Sequence, residues 1–243
     1  MSSTIGDHDR GSSAPACGPE ADPVEHRSLL ETLQAIIVRR RDVRSEFTGD
    51  PVAPAVVRQL LEAAHAAPSV GLSQPWDFVV VRDASIRDRF RTHVTAERQA
   101  FAATLDDDRG TLFQHIKVEG ICEASLGIVV TYDPTRGAPA VLGRHAIADA
   151  GVYSTCLAIE NLWLAATAIG FGVGWVSFYR EPVLRALIGA PEHIRPVAWL
   201  CVGPVSALQV IPDLERVGWR ARRPLDAAVH FDVWGRSFPE GRP

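Results

Sequence analysis

The sequence predicts a layered domain of the α/β or α+β class, and three observations carry that expectation. Apolar residues recur at helical spacing in several windows, as in Leu29, Leu30, Leu33, Ile36 and Ile37. Short β-rich runs stand between those windows, Trp76-Asp-Phe-Val-Val-Val81 among them. No repeat period is visible, and helices interleaved with a few short strands bury their apolar faces as layers.

Taken in order, residues 28 to 39 read as an amphipathic helix ending at the basic run Arg39-Arg-Arg-Asp-Val-Arg44. Gly49-Asp-Pro51 breaks the chain, and Pro54 suits the first position of a second helix carrying Val56, Val57, Leu60, Leu61 and Ala64. That helix stops before Pro68, and a loop to Pro75 leads into the strand 76–81. Helices are expected at 84–104 and at 111–121, around an acidic turn at Asp106-Asp-Asp108. Leu126 to Tyr132 reads as a buried strand closed by Asp133-Pro134. Residues 146 to 168 are apolar on nearly every side, which marks a helix in a core or at a subunit interface. A strand at 174–178, a short helix at 182–188 and a strand at 197–202 complete the pattern. Residues 1–27 are polar and read as a disordered tail, 28–236 as one domain, and 237–243 as a second tail.

Composition narrows the function class. Hydrophobic residues make up 47% and charged residues 22%, ordinary for a soluble globular chain. A net charge of -4 gives no reason to expect nucleic acid or an acidic membrane surface. Glu160 and Asn161 interrupt the longest apolar stretch, which argues against a membrane span. No apolar segment near the start resembles a signal peptide. The four cysteines are widely spaced; Cys122, Cys156 and Cys201 sit among apolar neighbours and read as small buried hydrophobes in a reducing, cytoplasmic setting. His93 with Glu97, and His145 with Asp149, lie four apart on predicted helices. Neither pair has an evident third ligand, so both read as surface pairs and no metal is assigned.

Three motifs remain, each with two readings. Arg40, Arg41 and Arg44 around Asp42 suit either an anion site or solvated charges at a helix end. Gly170-x-Gly172-x-Gly174 follows a helix and precedes a strand, the reverse of a dinucleotide fingerprint. It is either a glycine-rich helix exit or a place of close backbone approach to a ligand. Pro68-Ser-Val-Gly-Leu-Ser-Gln-Pro-Trp76 is either an ordinary turn or a loop presenting Ser69, Ser73, Gln74 and backbone amides to a ring edge.

In this order and at these distances the motifs resemble the nitroreductase-like flavoproteins. The matching features are a basic segment after the first helix, a P-S-x-x-x-x-Q-P-W loop, and a long apolar helix running into Gly172-Val-Gly-Trp-Val-Ser177. A terminal Arg220-Ala-Arg222 completes the set. The resemblance covers about residues 28 to 236. It implies a central mixed sheet flanked by helices and an intertwined homodimer with FMN at the interface. Arg40, Arg41 and Arg44 are then implied to contact the flavin, with Val43, Ser69, Gln74, Gly174 and Trp175. Arg220 and Arg222 are implied at the phosphate, with Arg223 as the alternative to Arg222.

Asp42 stands where nitroreductases commonly have Ser, and Leu72 where they commonly have Asn. With the wording of Asn161–Ala166 and Gly172–Ser177, these resemble the flavin-destroying branch, the 5,6-dimethylbenzimidazole synthases. Ser73 and Glu160 depart from that branch, which often has Met and Gln there. The implied reaction is oxygen-dependent fragmentation of reduced FMN, supplied by a flavin reductase that draws on NAD(P)H. Ribityl C1′ becomes C2 of 5,6-dimethylbenzimidazole, the lower ligand of cobalamin, and erythrose 4-phosphate leaves. Asp42 is implied as the base, with its pKa lowered by the arginines, and Ser177 as a hydrogen-bonding group beside it. Residues 87 to 120 either cover the ring as a lid or form peripheral helices. The alternatives are an NAD(P)H-dependent nitroreductase that keeps its flavin, and a non-catalytic flavin-binding protein.

Overall fold

Pro23 opens the first helix, α1 (Pro23–Arg39), in a computed structural model that describes residues 23–237 of the chain. The helix starts five residues before the predicted Ser28, because proline is well suited to a first helical turn. Residues 1–22 and 238–243, most of the two expected tails, lie outside the described residues. The chain divides between Ala35 and Ile36 into two compact units. In the first unit the described part is the body of α1, where Leu29, Leu30 and Leu33 are exposed.

The second unit is built on a four-stranded sheet in the order β1 (Trp76–Val81), β2 (Leu126–Tyr132), β4 (Arg195–Pro204), β3 (Phe171–Val176). Every neighbouring pair is antiparallel, with Trp76 opposite Tyr132, Leu126 opposite Val202 and Val176 opposite Trp199. This corrects the expected mixed sheet: the parallel element among the described residues is a single bridge from Asp42 to Val173.

Both faces of the sheet are covered, so β2 is buried along its whole length and is apolar apart from Thr131. The two-residue period divides its neighbours cleanly. Leu126, Ile128, Val130, Ala198, Leu200 and Val202 face one core with Leu60 of α2 (Pro54–His65) and Leu162 of α5 (Ala150–Ala168). Val129, Trp199 and Cys201 face the other, with Phe90 and Val94 of α3 (Ala84–Ala102) and Phe113 of α4 (Asp107–Gln114). Trp199 is fully buried and stacks on Phe90 with ring centroids 4.1 Å apart. Gly127 makes room for it, since a Cβ there would lie 2.6 Å from the indole. The other helices are α6 (Glu181–Leu187) and the one-turn α7 (Asp213–Arg216).

Several boundaries differ from expectation for local reasons. Asp106 caps α4 by accepting the Arg109 N–H at 2.8 Å, so the acidic triplet starts this helix and the predicted 111–121 segment is mostly irregular. α5 begins at Ala150 instead of residue 146, which leaves His145 and Asp149 off a common helix and both exposed. Tyr153 and Leu157 of α5 are exposed while its opposite face is buried. β3 begins at Phe171 instead of residue 174, so Gly172 and Gly174 are strand residues, and Gly170 alone, at φ 78°, follows the helix cap. Cys201 is buried as expected, but Cys122 is exposed and Cys156 only half-buried.

Candidate active site

α1 ends at Arg39, and the chain then runs extended beside β3, where Val43 N–H donates to Val173 O at 3.0 Å. Alternation along an extended segment sends Val43 into the core and Asp42 and Arg44 to the opposite side. The Arg44 guanidinium grips Asp42 as a two-pronged fork, Nη1 to Oδ1 at 2.7 Å and Nη2 to Oδ2 at 2.6 Å. Trp175 N–H also donates to Asp42 Oδ1 at 2.9 Å, while Arg44 Nη2 donates to Trp175 O at 2.6 Å. Gly174 permits this closeness: a Cβ there would lie 2.5 Å from Arg44 Nη1 and closer still to Val43 O. The glycine pair thus admits the chain's own segment 42–44 against β3.

Burial raises the Asp42 carboxyl above the ordinary 3.8. Arg44, the Trp175 amide and Arg40 pull the other way without overcoming it. This reverses the lowered value expected from the arginines alone. The carboxylate sits deep, yet 48% of its side-chain surface stays accessible because it faces a cavity. A ligand filling that cavity would remove the remaining water and push in the same direction as burial.

The cavity has a volume of about 610 Å³, within the range of small-molecule sites. Arg41, Asp42, Arg44, Lys117, Gln209 and Arg216 give it polar groups, and Phe101, Phe113, Phe178 and Trp219 give it an aromatic wall. Phe101 lies 5.1 Å from Phe113 and 5.7 Å from Phe178 between centroids, in edge-on contact. Arg109 of α4 sits 4.4 Å over the Trp219 ring and donates to Trp219 O at 3.0 Å, which ties α4 to the C-terminal segment. From this stretch Phe101, Phe113 and residues 115–118 form part of the cavity wall.

Residues 37–204 match the Nitroreductase family. The chain belongs to this family. A 5,6-dimethylbenzimidazole synthase of Rhodospirillum rubrum is 39% identical over 207 residues, 85% of this chain and 96% of that protein. One from Rhodobacter capsulatus is 32% identical over 196 residues, 81% of this chain and 94% of that protein. Among solved structures, iodotyrosine deiodinase bound to FMN and 3-iodo-L-tyrosine superposes with a TM-score of 0.64 at 18% identity, over 85% of this chain and all of that one. A BluB-like flavoprotein of Clostridium difficile 630 superposes with a TM-score of 0.63 at 21% identity, over 83% of this chain and 99% of that one. At those identities the structural matches establish the nitroreductase-like fold.

Within this family member the sequence-predicted site residues divide into two groups. Arg41, Asp42, Val43, Arg44, Trp175 and Ser177 line the cavity, with Gly174 behind them. Arg40, Ser69, Gln74, Arg220 and Arg222 do not line it. Arg40 lies 5.1 Å over the Trp163 ring and 3.6 Å from Glu160, so the departure at Glu160 supplies a partner charge. Arg41 is held by carbonyls of Val38, Arg40 and Val210, and burial followed by repulsion from Arg222 and Arg40 lowers its pKa. Ser69 Oγ accepts the Gln74 N–H at 3.0 Å, closing the loop on itself, with Leu72 and Gln74 at positive φ and Leu72 80% exposed. Arg222 lies 3.7 Å from Glu215.

Sequence reasoning passed over Phe101, Phe113, Phe178, Gln209, Arg216 and Trp219. Trp219 alone left a signal, inside the basic group Gly218–Pro224. The pair His93 and Glu97 is engaged by Arg180, whose N–H donates to His93 Nε2 at 3.0 Å and whose Nε lies 2.9 Å from Glu97. Among the described residues no group of three or more His, Cys, Asp or Glu is placed to hold a metal, and no helix is long and apolar enough to cross a membrane.

Proposed function

We propose that the protein fragments reduced FMN with dioxygen to give 5,6-dimethylbenzimidazole and erythrose 4-phosphate, supplying the lower ligand of cobalamin in the cytoplasm. The observation that carries this reading is Asp42, a carboxylate fixed in the cavity by the Arg44 fork and the Trp175 amide. Relatives named 5,6-dimethylbenzimidazole synthase over most of the chain support it. The atoms balance when C1′ is retained as C2 of the product and both dioxygen atoms leave with the pyrimidine half. Dioxygen is the oxidant and the reduced flavin the electron source.

The residues present suit FMN. The aromatic wall offers an apolar surface to a tricyclic ring and keeps water from it. Arg41, which lines the cavity, has its Nε buried without a hydrogen-bond acceptor among the described residues, a donor suited to an anionic ligand. In this reading Asp42 accepts a proton near C1′, and its raised pKa brings it closer to the working pH of a general base. Ser177, on the cavity wall, offers a hydroxyl beside it. Arg40, Arg41, Val43, Arg44, Gly174 and Trp175 surround the flavin, and Arg220 and Arg222 take the phosphate.

Ser69 and Gln74 do not line this chain's cavity, which supports a homodimer in which a second copy brings its own loop to the site. The exposed apolar side chains Leu72, Leu142, Ile147, Tyr153 and Leu157 support the same arrangement. A separate flavin reductase delivers the reduced flavin.

The test is aerobic incubation of purified protein with excess chemically reduced FMN, followed by mass spectrometry. Formation of 5,6-dimethylbenzimidazole in proportion to enzyme, with flavin consumed, is expected. Reoxidised FMN without product would overturn the reading, and NADPH oxidation would then separate a flavin-retaining reductase from a storage protein.

A further inference from the structure

β3 ends at Val176 and α6 begins at Glu181, so Ser177 opens a short connection that starts on the cavity wall. The connection turns sharply, with Tyr179 N–H donating to Ser177 O at 3.0 Å. Each residue after Ser177 in this turn rests on α3. Phe178 meets Phe101 with ring centroids 5.7 Å apart, and Tyr179 meets Phe90 at 5.8 Å. Arg180 N–H donates to His93 Nε2 at 3.0 Å, and Arg180 Nε donates to Glu97 Oε1 at 3.0 Å and Oε2 at 2.9 Å. Phe90, His93, Glu97 and Phe101 recur at three- and four-residue spacing, which makes them one stripe along α3. The Ser177 side chain is exposed, and its hydroxyl has no hydrogen bond among the described residues, so its place is set by the backbone that carries it.

We propose that His93 and Glu97 are positioning residues, which fix the turn after β3 and through it the place of the Ser177 hydroxyl at the cavity. This rests on the role of Ser177 beside Asp42 in the proposed reaction. His93 takes a main-chain N–H and so governs the backbone path directly. As the acceptor its Nε2 carries no proton, which leaves the ring proton on Nδ1. Glu97 sets the direction of the Arg180 side chain, and the bond from Arg180 holds the Glu97 carboxyl below its ordinary 4.5. Arg180 is exposed, so this ion pair adds little to stability, and what it supplies is direction.

The test compares His93→Leu, which removes the acceptor, with His93→Gln, which offers an amide oxygen in its place. With chemically reduced FMN in air, His93→Leu should form 5,6-dimethylbenzimidazole roughly 10- to 100-fold more slowly, the scale of a misplaced reacting group. Its affinity for oxidised FMN should stay within about threefold of wild type, the low end of one neutral hydrogen bond. His93→Gln should recover most of the rate. Glu97→Leu should follow the same pattern, with Glu97→Gln as its conservative partner. In a Ser177→Ala background neither leucine variant should cost further rate, because residues that act as a unit are not additive. In the flavin-free protein, NMR should show His93 protonated at Nδ1 alone, and the Ser177 amide should move in His93→Leu and return in His93→Gln.

Wild-type His93 protonated at Nε2 would overturn the proposal before any variant is made. So would equal losses in the wild-type and Ser177→Ala backgrounds, an undiminished rate in either leucine variant, or a loss of flavin affinity as large as the loss of rate. Should His93→Leu fail to fold, Glu97→Leu carries the same comparison. Wild-type protein that makes no product would end the synthase reading instead, and the Ser177 amide then decides: unmoved in His93→Leu, it refutes the anchor.

Discussion

Replacing Gly174 with alanine tests the packing on which the site depends. The added Cβ would lie 2.5 Å from Arg44 Nη1, against an ordinary contact of at least 3.4 Å. Relief therefore requires a shift of about 0.9 Å at the guanidinium, and more at the Val43 carbonyl oxygen, which is main chain and cannot rotate away. A shift of that size takes the 2.7 Å bond from Arg44 to Asp42 out of hydrogen-bond range. Overpacking costs about 1–3 kcal/mol. A lost hydrogen bond between charged groups adds about 1.5 kcal/mol at the low end, appropriate because Asp42 can regain water from the cavity. The total is about 2.5–4.5 kcal/mol, or a melting temperature lower by roughly 10 °C for a chain of this size. Urea unfolding and calorimetry measure both. A loss under about 1 kcal/mol would show that segment 42–44 moves freely against β3, and the packing argument would fail.

Three further outcomes follow from the same geometry. Asp83 caps α3 by accepting from the Ser85 hydroxyl and the Ser85 and Ile86 amides, and these bonds hold its pKa below the ordinary 3.8. Its stabilisation is thus complete above that ordinary value and lost as pH falls through the depressed one; urea midpoints of wild type and Asp83→Ala should differ at pH 7 and converge in strong acid. Arg109→Ala removes the cation–π contact to Trp219, worth about 0.5–1 kcal/mol, so flavin release followed by stopped-flow fluorescence should quicken roughly two- to fivefold. The pair Arg220→Ala and Arg222→Ala should weaken FMN binding about tenfold or more in titration calorimetry. Unchanged affinity would move the phosphate to the cavity cations Lys117 and Arg216.

Much of the fold was legible because local pattern and burial agree. Leu126–Tyr132 is apolar but for Thr131 since both sheet faces are covered, and Pro54 marks the start of α2 to the residue. Asp42 could be singled out because a carboxylate among arginines is unusual at any distance. Its pKa direction could not, because desolvation depends on groups brought in by folding. The aromatic wall was equally hidden: Phe101, Phe113, Phe178 and Trp219 come from four places in the chain and share no motif. Gly172 and Gly174 were ambiguous in sequence since a helix exit and a close approach both call for glycine. The answer lay in which segment approaches, and that segment begins 130 residues earlier.

That separation has a consequence for how activity is acquired. Asp42 receives its amide donor from a residue 133 positions later. A growing chain that has not yet reached Trp175 therefore carries Asp42 without its amide donor, however well its first helices form. Contacts of such long sequence separation close late, after the loop entropy between them has been overcome. On the proposed reading, oxygen chemistry on a loosely held flavin would leak reactive products into the cell. A carboxylate that gains its amide donor only when β3 has docked would then tie that hazard to completion of the fold.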